Sequence, residues 1–514
     1  MSELLQKAVY TALEAGYQLD KEAFNFLEKL SKTEDPIIIV EKAVKKAQTL
    51  SQKPLFIGRS LIEELLTEET KKPAAPAVPI STAPLETRKT AFHPYAKEID
   101  PDIKVIQDPT KEACTTGSIE DYLKYFRDRF RRLEKILRRR IDIKGSMPIS
   151  EALKAPRNSK VKVIGILTEK RESKQRIFFK IEDMNASATV FVPQNIEEKI
   201  RVKTQMLLLD QVVCVMAVKG RNDLLVLEDV LFPDVPLRTP RKASIPVYAA
   251  LISDLHVGSK LFMREEFNRF LLWLNGKLGS AYQREVAGRI KYVIIAGDIV
   301  DGIGVYPGQT KELAITDIYQ QYDMASKFIE QIPDYIELII IPGNHDASRK
   351  ALPQLAIPKE YAESIYNVRK VRSLGNPCVV SLHDVELLVY HGRSLDDIIS
   401  TAPNQSFMNP EKAMKLLLQC RHLAPIYGQK TPISPENRDF MVIERVPDIF
   451  HTGHIHVEKH ESYRGVLLVN SGAWQEQTTF QKKMGVKPTP GIVPIVDLQT
   501  SQVFSVNFRS ATLD

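Results

Sequence analysis

Five short polar blocks, each set directly after an apolar run rich in Val and Ile, constrain this chain more than any other feature. They are Ser253-Asp254-Leu255-His256, then Gly297-Asp298-Ile299-Val300-Asp301-Gly302, then Gly343-Asn344-His345-Asp346, then Tyr390-His391-Gly392, and finally Gly453-His454-Ile455-His456. The runs before them cover residues 247–252, 292–295, 338–341, 387–389 and 449–450. Such runs read as buried strands. In open α/β sheets, ligand groups gather at the carboxyl ends of strands. Five strand ends carrying Asp, Asn and His therefore predict one shared metal cluster.

The residue types select the chemistry. Carboxylate together with imidazole suits Mn, Fe, Zn or Ni. Two such ions about 3.5–4 Å apart clamp a phosphoester, activate water and stabilise a leaving oxygen. A shared carboxylate would hold the pair, and Asp298 is the bridging candidate. Singly, each block has a duller reading: D-x-H after a strand is a capped loop, and G-N-H-D is a turn. The histidine distribution weighs against it, because nine of the ten histidines lie from His256 to His460 and only His93 precedes them. His451 is assigned a structural or supporting role, and His383, His422 and His460 match no block.

The pattern D-x-H, G-D-x-x-D-G, G-N-H-D, H-G, G-H-x-H resembles the calcineurin-like metallophosphoesterases over roughly the second half of the chain, with the blocks in family order. The resemblance implies that Asp254, His256 and His456 bind one divalent ion, that Asn344, His391 and His454 bind a second, and that Asp298 bridges them. It implies manganese as the usual metal, with iron, nickel or zinc also compatible. His345 resembles the non-ligand histidine that protonates or stabilises the leaving oxygen, and Asp346 resembles its orienting partner.

At 514 residues and 43% apolar composition, the chain is expected to form about three domains with real cores. No apolar run is long enough to span a membrane. The amphipathic start does not read as a signal peptide. Cys114, Cys214, Cys378 and Cys420 form no C-x-x-C pair, which suggests a reducing cytoplasm and no cysteine zinc site. The net charge of +7 permits a polyanionic partner without demanding one.

The predicted architecture is a multi-domain α/β chain. Residues 1–70 read as a small helical domain, with Leu4, Val9, Leu13 and then Phe24, Leu27, Leu30 at helical spacing, Asp35 before Pro36 as a cap, and Ile62, Leu65 and Leu66 on one face. Residues 71–115 read as a flexible linker rich in Pro73, Pro76, Pro79 and Pro84. Residues 116–157 begin with Ser118 and Asp121 at capping-box spacing and continue as an amphipathic helix. Its polar face carries Lys124, Arg127, Arg129, Arg131, Arg132, Lys135 and Arg138–Arg140, which is either a solvated face or a phosphate-contacting one. Residues 158–240 hold five strand patterns, at 161–167, 176–181, 188–192, 211–218 and 224–230. A helical stretch at 195–200 falls between the third and fourth, an order that fits an OB-fold barrel. Of the adjacent Phe178 and Phe179, only one can face outward. Residues 241–514 form the phosphoesterase-like domain.

An OB-like barrel directly before a calcineurin-like phosphoesterase resembles the small (B) subunits of replicative DNA polymerases. Because this chain keeps the full set of matching residues, it resembles the small subunits of archaeal D-family DNA polymerase. That resemblance implies a metal-dependent 3′–5′ proofreading exonuclease acting on single-stranded or mismatched DNA 3′ ends. It also implies a heterodimer with a large catalytic polymerase subunit, with the sliding clamp or other replisome proteins as further candidate partners. Arg127, Arg131, Arg138, Arg349 and Arg393 are the candidate DNA contacts. Two alternatives remain open: a catalytically silent scaffold subunit, and a DNA-repair nuclease of the same superfamily, although the latter places its phosphoesterase domain first.

Overall fold

The computed structural model describes residues 3–15, 17–30, 36–49, 56–70, 92–173 and 176–510. The chain divides into two units, Met1–Lys89 and Thr90–Asp514. In the first, helices Glu3–Glu14, Lys21–Leu30, Pro36–Thr49 and Arg59–Thr70 accompany a parallel ladder of Gln18–Leu19 with Phe56–Ile57. Ala8 and Ala12 on one helix and Ala43 and Ala47 on another join Leu27, Val40, Ile57 and Ile62 in its core. Each alanine pair is four residues apart, so each pair shares one helix face. Asp35, the prolines at 73, 76, 79 and 84, and the side chains of Leu4, Leu65 and Leu66 lie outside the described residues.

The second unit corrects the far end of the expected linker. Ile103–Gln107 is a strand that pairs antiparallel with Cys378–Leu382. Ile99 and Ile103 pack on a buried apolar cluster, and Asp108 Oδ1 accepts from Gly375 N at 2.9 Å. Apolar burial plus ladder hydrogen bonds outweigh the entropy of a free tether here.

Ser118 and Asp121 form the expected capping box on the helix Ile119–Arg138. The polar face of that helix differs from expectation. Arg129 is fully buried. Its Nε donates to Asp439 Oδ2 at 2.8 Å, its Nη1 to the Pro425 carbonyl at 2.8 Å and its Nη2 to the Tyr125 hydroxyl at 3.1 Å. Arg132 Nη1 donates to the Asp439 carbonyl at 2.6 Å, and Arg138 pairs with Glu134 at 2.8 Å. Arg127 and Arg131 stay exposed, with no ion pair among the described residues.

Five strands then close a barrel in the order Lys160–Ser173, Arg176–Glu182, Ser187–Val192, Leu224–Leu231, Val212–Lys219. The intervening helix is Glu198–Gln205, shifted from 195–200 because Pro193 to Ile196 first closes a turn. Phe179 points into the barrel with Val163, Leu167, Val190 and Val215. Phe178 faces out and packs on Phe191, directly opposite on the next strand, with ring centroids 5.0 Å apart.

Two six-stranded sheets follow. One runs Val371–Ser373, Glu337–Ile341, Ile290–Ala296, Tyr248–Ile252, Ile492–Asp497, Val503–Asn507; its first four strands are parallel. The other runs Lys459–Tyr463, Val466–Asn470, Ile449–Thr452, Val385–Val389, Cys378–Leu382, Ile103–Gln107. Leu251, Ile294 and Ile339 of the first sheet share a cluster with Val380, Val389 and Ile449 of the second, so the sheets pack face to face. Helices cover the outer faces: Phe267, Trp273 and Phe328 on one side, Ile398, Met414 and Leu417 on the other. No helix among the described residues is long and apolar enough to cross a membrane.

Breaking the Arg129–Asp439 pair strands a buried carboxylate. Arg129→Met is expected to lower stability by about 3–5 kcal/mol in urea unfolding. Arg127→Ala, on the exposed side of the same helix, is expected to stay within about 0.5 kcal/mol of the parent. Equal effects would refute the anchoring role.

Candidate metal centre

The five strands that carry the polar blocks end at Ile252, Ala296, Ile341, Val389 and Thr452. Within each sheet these strands run parallel, the first three in one and the last two in the other. Their carboxyl ends bring Asp254, His256, Asp298, Asn344, His345, His391, His454 and His456 together. Five of these, Asp254, His256, Asp298, His454 and His456, have φ between 52° and 68°. Side chains rarely adopt that left-handed region, and holding them there costs about 1–3 kcal/mol each. A side chain at Gly343 would collide with Asp298 Oδ1, and one at Gly453 with Asp254 Oδ2. Glycine is therefore required at both positions by close approach.

Too many acceptors converge here for the residues to satisfy one another. His391 Nδ1 donates to the Ala296 carbonyl at 2.8 Å, because a carbonyl can only accept. Its Nε2 then faces Asn344 Oδ1 at 3.0 Å and Asp298 Oδ2 at 3.3 Å. His256 Nδ1 donates to Asp301 Oδ1 at 2.9 Å, and its Nε2 faces His456 Nε2 at 3.2 Å and Asp298 Oδ2 at 3.8 Å. Asp254 Oδ1 is buried without a hydrogen-bond donor, 3.4 Å from His456 Nε2. Three groups could each hold a metal ion: Asp254, His256 and His456; His256, Asp298 and His345; Asp298, His391 and His454. Asp298 belongs to two of them. Carboxylate oxygen and imidazole nitrogen form a donor set that fits a divalent transition metal.

The carboxylates favour charge on two of the imidazoles, His256 and His391. Burial opposes charge on His256, yet its hydrogen bond to Asp301 and the nearby carboxylates raise it to about 9. Burial likewise opposes charge on His391, and Asp298 raises it to about 9. A lone buried carboxyl would be raised, but His456 holds Asp254 at about 2.

The supporting contacts were only partly foreseen. Asp301 orients His256 and also accepts from Gln475 Nε2 at 3.1 Å. Its place in G-D-x-x-D-G was the available signal. Asp396 Oδ2 accepts from His454 Nε2 at 3.1 Å, which leaves the Nδ1 lone pair for a ligand role. Asp396 lies in no block, and nothing in its spacing marks it. The side-chain amide of Gln481 lies 3.0 Å from His456 Nδ1.

Asp346 does not orient His345. Its buried carboxylate accepts from the backbone N–H groups of Gly343 at 2.8 Å and Ile299 at 3.1 Å, and from the Tyr322 hydroxyl at 3.2 Å. Gly343 lies on the same loop, Ile299 on the neighbouring one and Tyr322 on the helix Ile318–Ile329, so the carboxylate ties the two loops to that helix. The Asp301 carbonyl holds His345 instead, accepting from Nδ1 at 2.6 Å. His345 N donates to Asp298 Oδ1 at 2.8 Å. Its ring meets that of His256 edge to face at 4.6 Å, and burial pushes its imidazole down to about 4.

Arg349 is also reassigned. It pairs with the buried Glu436 at 2.7 Å and donates to the Pro353 carbonyl at 2.6 Å. The next residue, Lys350, is exposed and donates to the Asn344 carbonyl at 2.7 Å. Arg393, two residues past His391, is half-buried with no hydrogen-bond partner among the described residues. Away from the centre, His451 Nε2 meets Ser471 Oγ at 2.9 Å, His422 meets Asp439 at 2.8 Å and His460 meets Glu458 at 3.0 Å.

Residues 249–461, which include all five blocks, match the family model of the B subunit of DNA polymerases alpha and epsilon. A Methanothermobacter thermautotrophicus protein named DNA polymerase II small subunit is 37% identical over 91% of this chain and 94% of its own length. Its namesake in Archaeoglobus fulgidus is 39% identical over 93% of each chain. The Methanocaldococcus jannaschii protein of that name is 40% identical over 78% of this chain and 68% of its own length.

Ligand imidazoles must lose their protons before their lone pairs can bind a cation. With His256 and His391 raised to about 9, divalent-metal affinity is expected to rise steadily from pH 6 to about 9 and then level off, with protons released on binding. Titration calorimetry in two buffers of different ionisation enthalpy measures both. A flat pH profile with no proton release would remove these histidines from the ligand set.

Proposed function

The chain belongs to the family of archaeal DNA polymerase II small subunits, and from that premise we propose that it is the metal-dependent 3′–5′ proofreading exonuclease of a polymerase built with a large catalytic subunit. The observation that carries this reading is Asp298, whose Oδ2 lies 3.8 Å from His256 Nε2 and 3.3 Å from His391 Nε2 at the meeting point of five strand ends. In this reading the closed barrel is an OB-fold and the two packed sheets are a calcineurin-like phosphoesterase sandwich. Asp254, His256 and His456 hold one divalent ion, Asn344, His391 and His454 the other, and Asp298 both. Manganese is the expected metal, with iron, nickel or zinc also suited to these donors. When bound, such ions polarise a phosphodiester, lower the pKa of water and offset charge on the leaving oxygen.

The chain's own groups do the rest. Asp301 and Asp396 fix the ring orientations of His256 and His454. His345, tethered through Nδ1 to the Asp301 carbonyl, has Nε2 available to hold a proton beside the leaving 3′ oxygen. Burial keeps that ring neutral until an anionic phosphodiester lies against it and draws a proton onto it. Lys350 and Arg393 stand at the Asn344 and His391 side of the centre, where strand phosphates would meet them. A terminal nucleotide has to leave its complement to enter the site, and this costs least at a mismatch or a single-stranded end. Discrimination then follows without any base being read.

The test uses oligonucleotides labelled at the 5′ end, single-stranded, fully paired or mismatched at the 3′ terminus, with the protein in Mn²⁺. Stepwise shortening is expected, slowest on the paired end and absent in Asp298→Ala, which should also lose metal by elemental analysis. Internal cuts alone would indicate an endonuclease. No cleavage, with or without the large subunit, would leave only a scaffold role. His345→Ala is expected to keep its metal and lose about 10²–10⁴ in kcat; loss of metal would make His345 a ligand.

A further inference from the structure

Just past Asp301 the chain enters a short loop containing Gly302, Gly304 and Gly308, all with φ between 70° and 83°. Such a loop would be soft if left alone, yet it is fastened. Gln309, which is buried, donates from Nε2 to the Asp301 carbonyl at 2.8 Å, and its Oε1 accepts from Val305 N at 2.9 Å. Gln321 Oε1 accepts from Gly302 N at 2.8 Å. The loop thereby presents Tyr306, whose hydroxyl donates to Glu312 Oε2 at 2.8 Å. Its ring lies 6.3 Å from the His345 ring, and the residue is 37% exposed. Tyr306 belongs to none of the apolar clusters of the fold. With its hydroxyl already engaged, what Tyr306 has left to offer is a part-exposed aromatic ring beside His345.

We propose that Tyr306 is the stacking platform for the nucleobase of the penultimate nucleotide, the nucleoside that keeps the leaving 3′ oxygen. This rests on the exonuclease reading of the same site. In that hydrolysis a water oxygen bonds to phosphorus and the P–O3′ bond breaks. The terminal nucleotide departs as a 5′-monophosphate, and O3′, still on the penultimate nucleoside, takes a proton. His345 serves that oxygen, and Tyr306 is the next ring outward from His345. The base attached to the same sugar is therefore the one that reaches Tyr306. A π-face accepts every base, so the contact is blind to sequence. It also requires the penultimate base to leave its own stack, so two unpaired nucleotides are engaged and a mismatch at either position eases entry.

The full-length protein in Mn²⁺ is given single-stranded oligonucleotides labelled at the 5′ end: intact, abasic at the terminal position, or abasic at the penultimate position. Only the first cleavage is followed, in the parent, Tyr306→Phe and Tyr306→Ala, with metal content measured for each to show an intact centre. In the parent, removing the penultimate base is expected to lower kcat/KM about 5- to 100-fold. Tyr306→Phe keeps the ring and should keep most of that ratio. Tyr306→Ala should bring it close to one while leaving the effect of the terminal base as it was. A penultimate-base effect that survives in Tyr306→Ala overturns the proposal, as does a Tyr306→Ala effect confined to the terminal base. If the parent shortens no oligonucleotide at all, the exonuclease reading itself has failed, and the platform with it.

Discussion

Asp298 is the point on which the molecule turns. One of its carboxylate oxygens accepts from His345 N, and the other faces His256 and His391. Nearby, Asp254 Oδ1 is buried with no donor, and leaving a buried acceptor unpaired costs more than it would at the surface. A cation, whether proton or metal, resolves the conflict. The backbone strain at Asp254, His256, Asp298, His454 and His456 is the structural counterpart of that demand. It persists because the strands leading into those residues are buried on both faces, by the opposite sheet on one side and by helices on the other. The Val and Ile runs are therefore more than filler, since their packing energy holds these strained donor residues in register.

A second buried node joins the barrel to that sandwich of sheets. Arg129 reaches Asp439 and the Pro425 carbonyl, and Asp439 also meets His422. Tyr427 N donates to Asp210 Oδ2, and Asp210 lies between the barrel's helix and its strand Val212–Lys219. A guanidinium with no solvent, satisfied by a carboxylate, a carbonyl and a hydroxyl, has little freedom to rearrange. The helix Ile119–Arg138 therefore acts as a fixed strut. Of the candidate DNA contacts on it, Arg127 and Arg131 remain available to a polyanion.

What could be read from sequence followed local periodicity. The five strand–block pairs, the barrel strands and the Ser118 capping box are all written within a few residues, so they were legible. What could not be read depended on distant partners. Arg129 looks like one cation among many on a polar helix face, and only Asp439, 310 positions away, makes it a buried anchor. Ile103–Gln107 looks like the end of a tether until Cys378–Leu382 supplies its ladder. Arg349 and Lys350 are indistinguishable in composition, yet Glu436 claims the first and leaves the second exposed. Asp346 follows His345 directly, but loop geometry sends its carboxylate to backbone amides instead. Asp396 is tied to His454 only by tertiary contact.

Asp301 shows how these levels combine. Its side chain sets the tautomer and direction of His256, its carbonyl holds His345, and the same carbonyl, through Gln309, fastens the loop that carries Tyr306. One residue thus positions two imidazoles and a part-exposed aromatic ring. Orientation of ligands by an outer carboxylate tunes affinity by strengthening the imidazole as a donor. Orientation of a binding loop reduces the entropy lost when a flexible strand is captured. Because both contacts pass through a single side chain and its own carbonyl, His256 and the loop are mechanically linked: a shift of Asp301 that loosens His256 must also move the loop. The G-D-x-x-D-G spacing is then understood as a distance requirement. The first aspartate has to reach the donor groups, and the second has to stand behind them, three residues further along a turn that glycine permits.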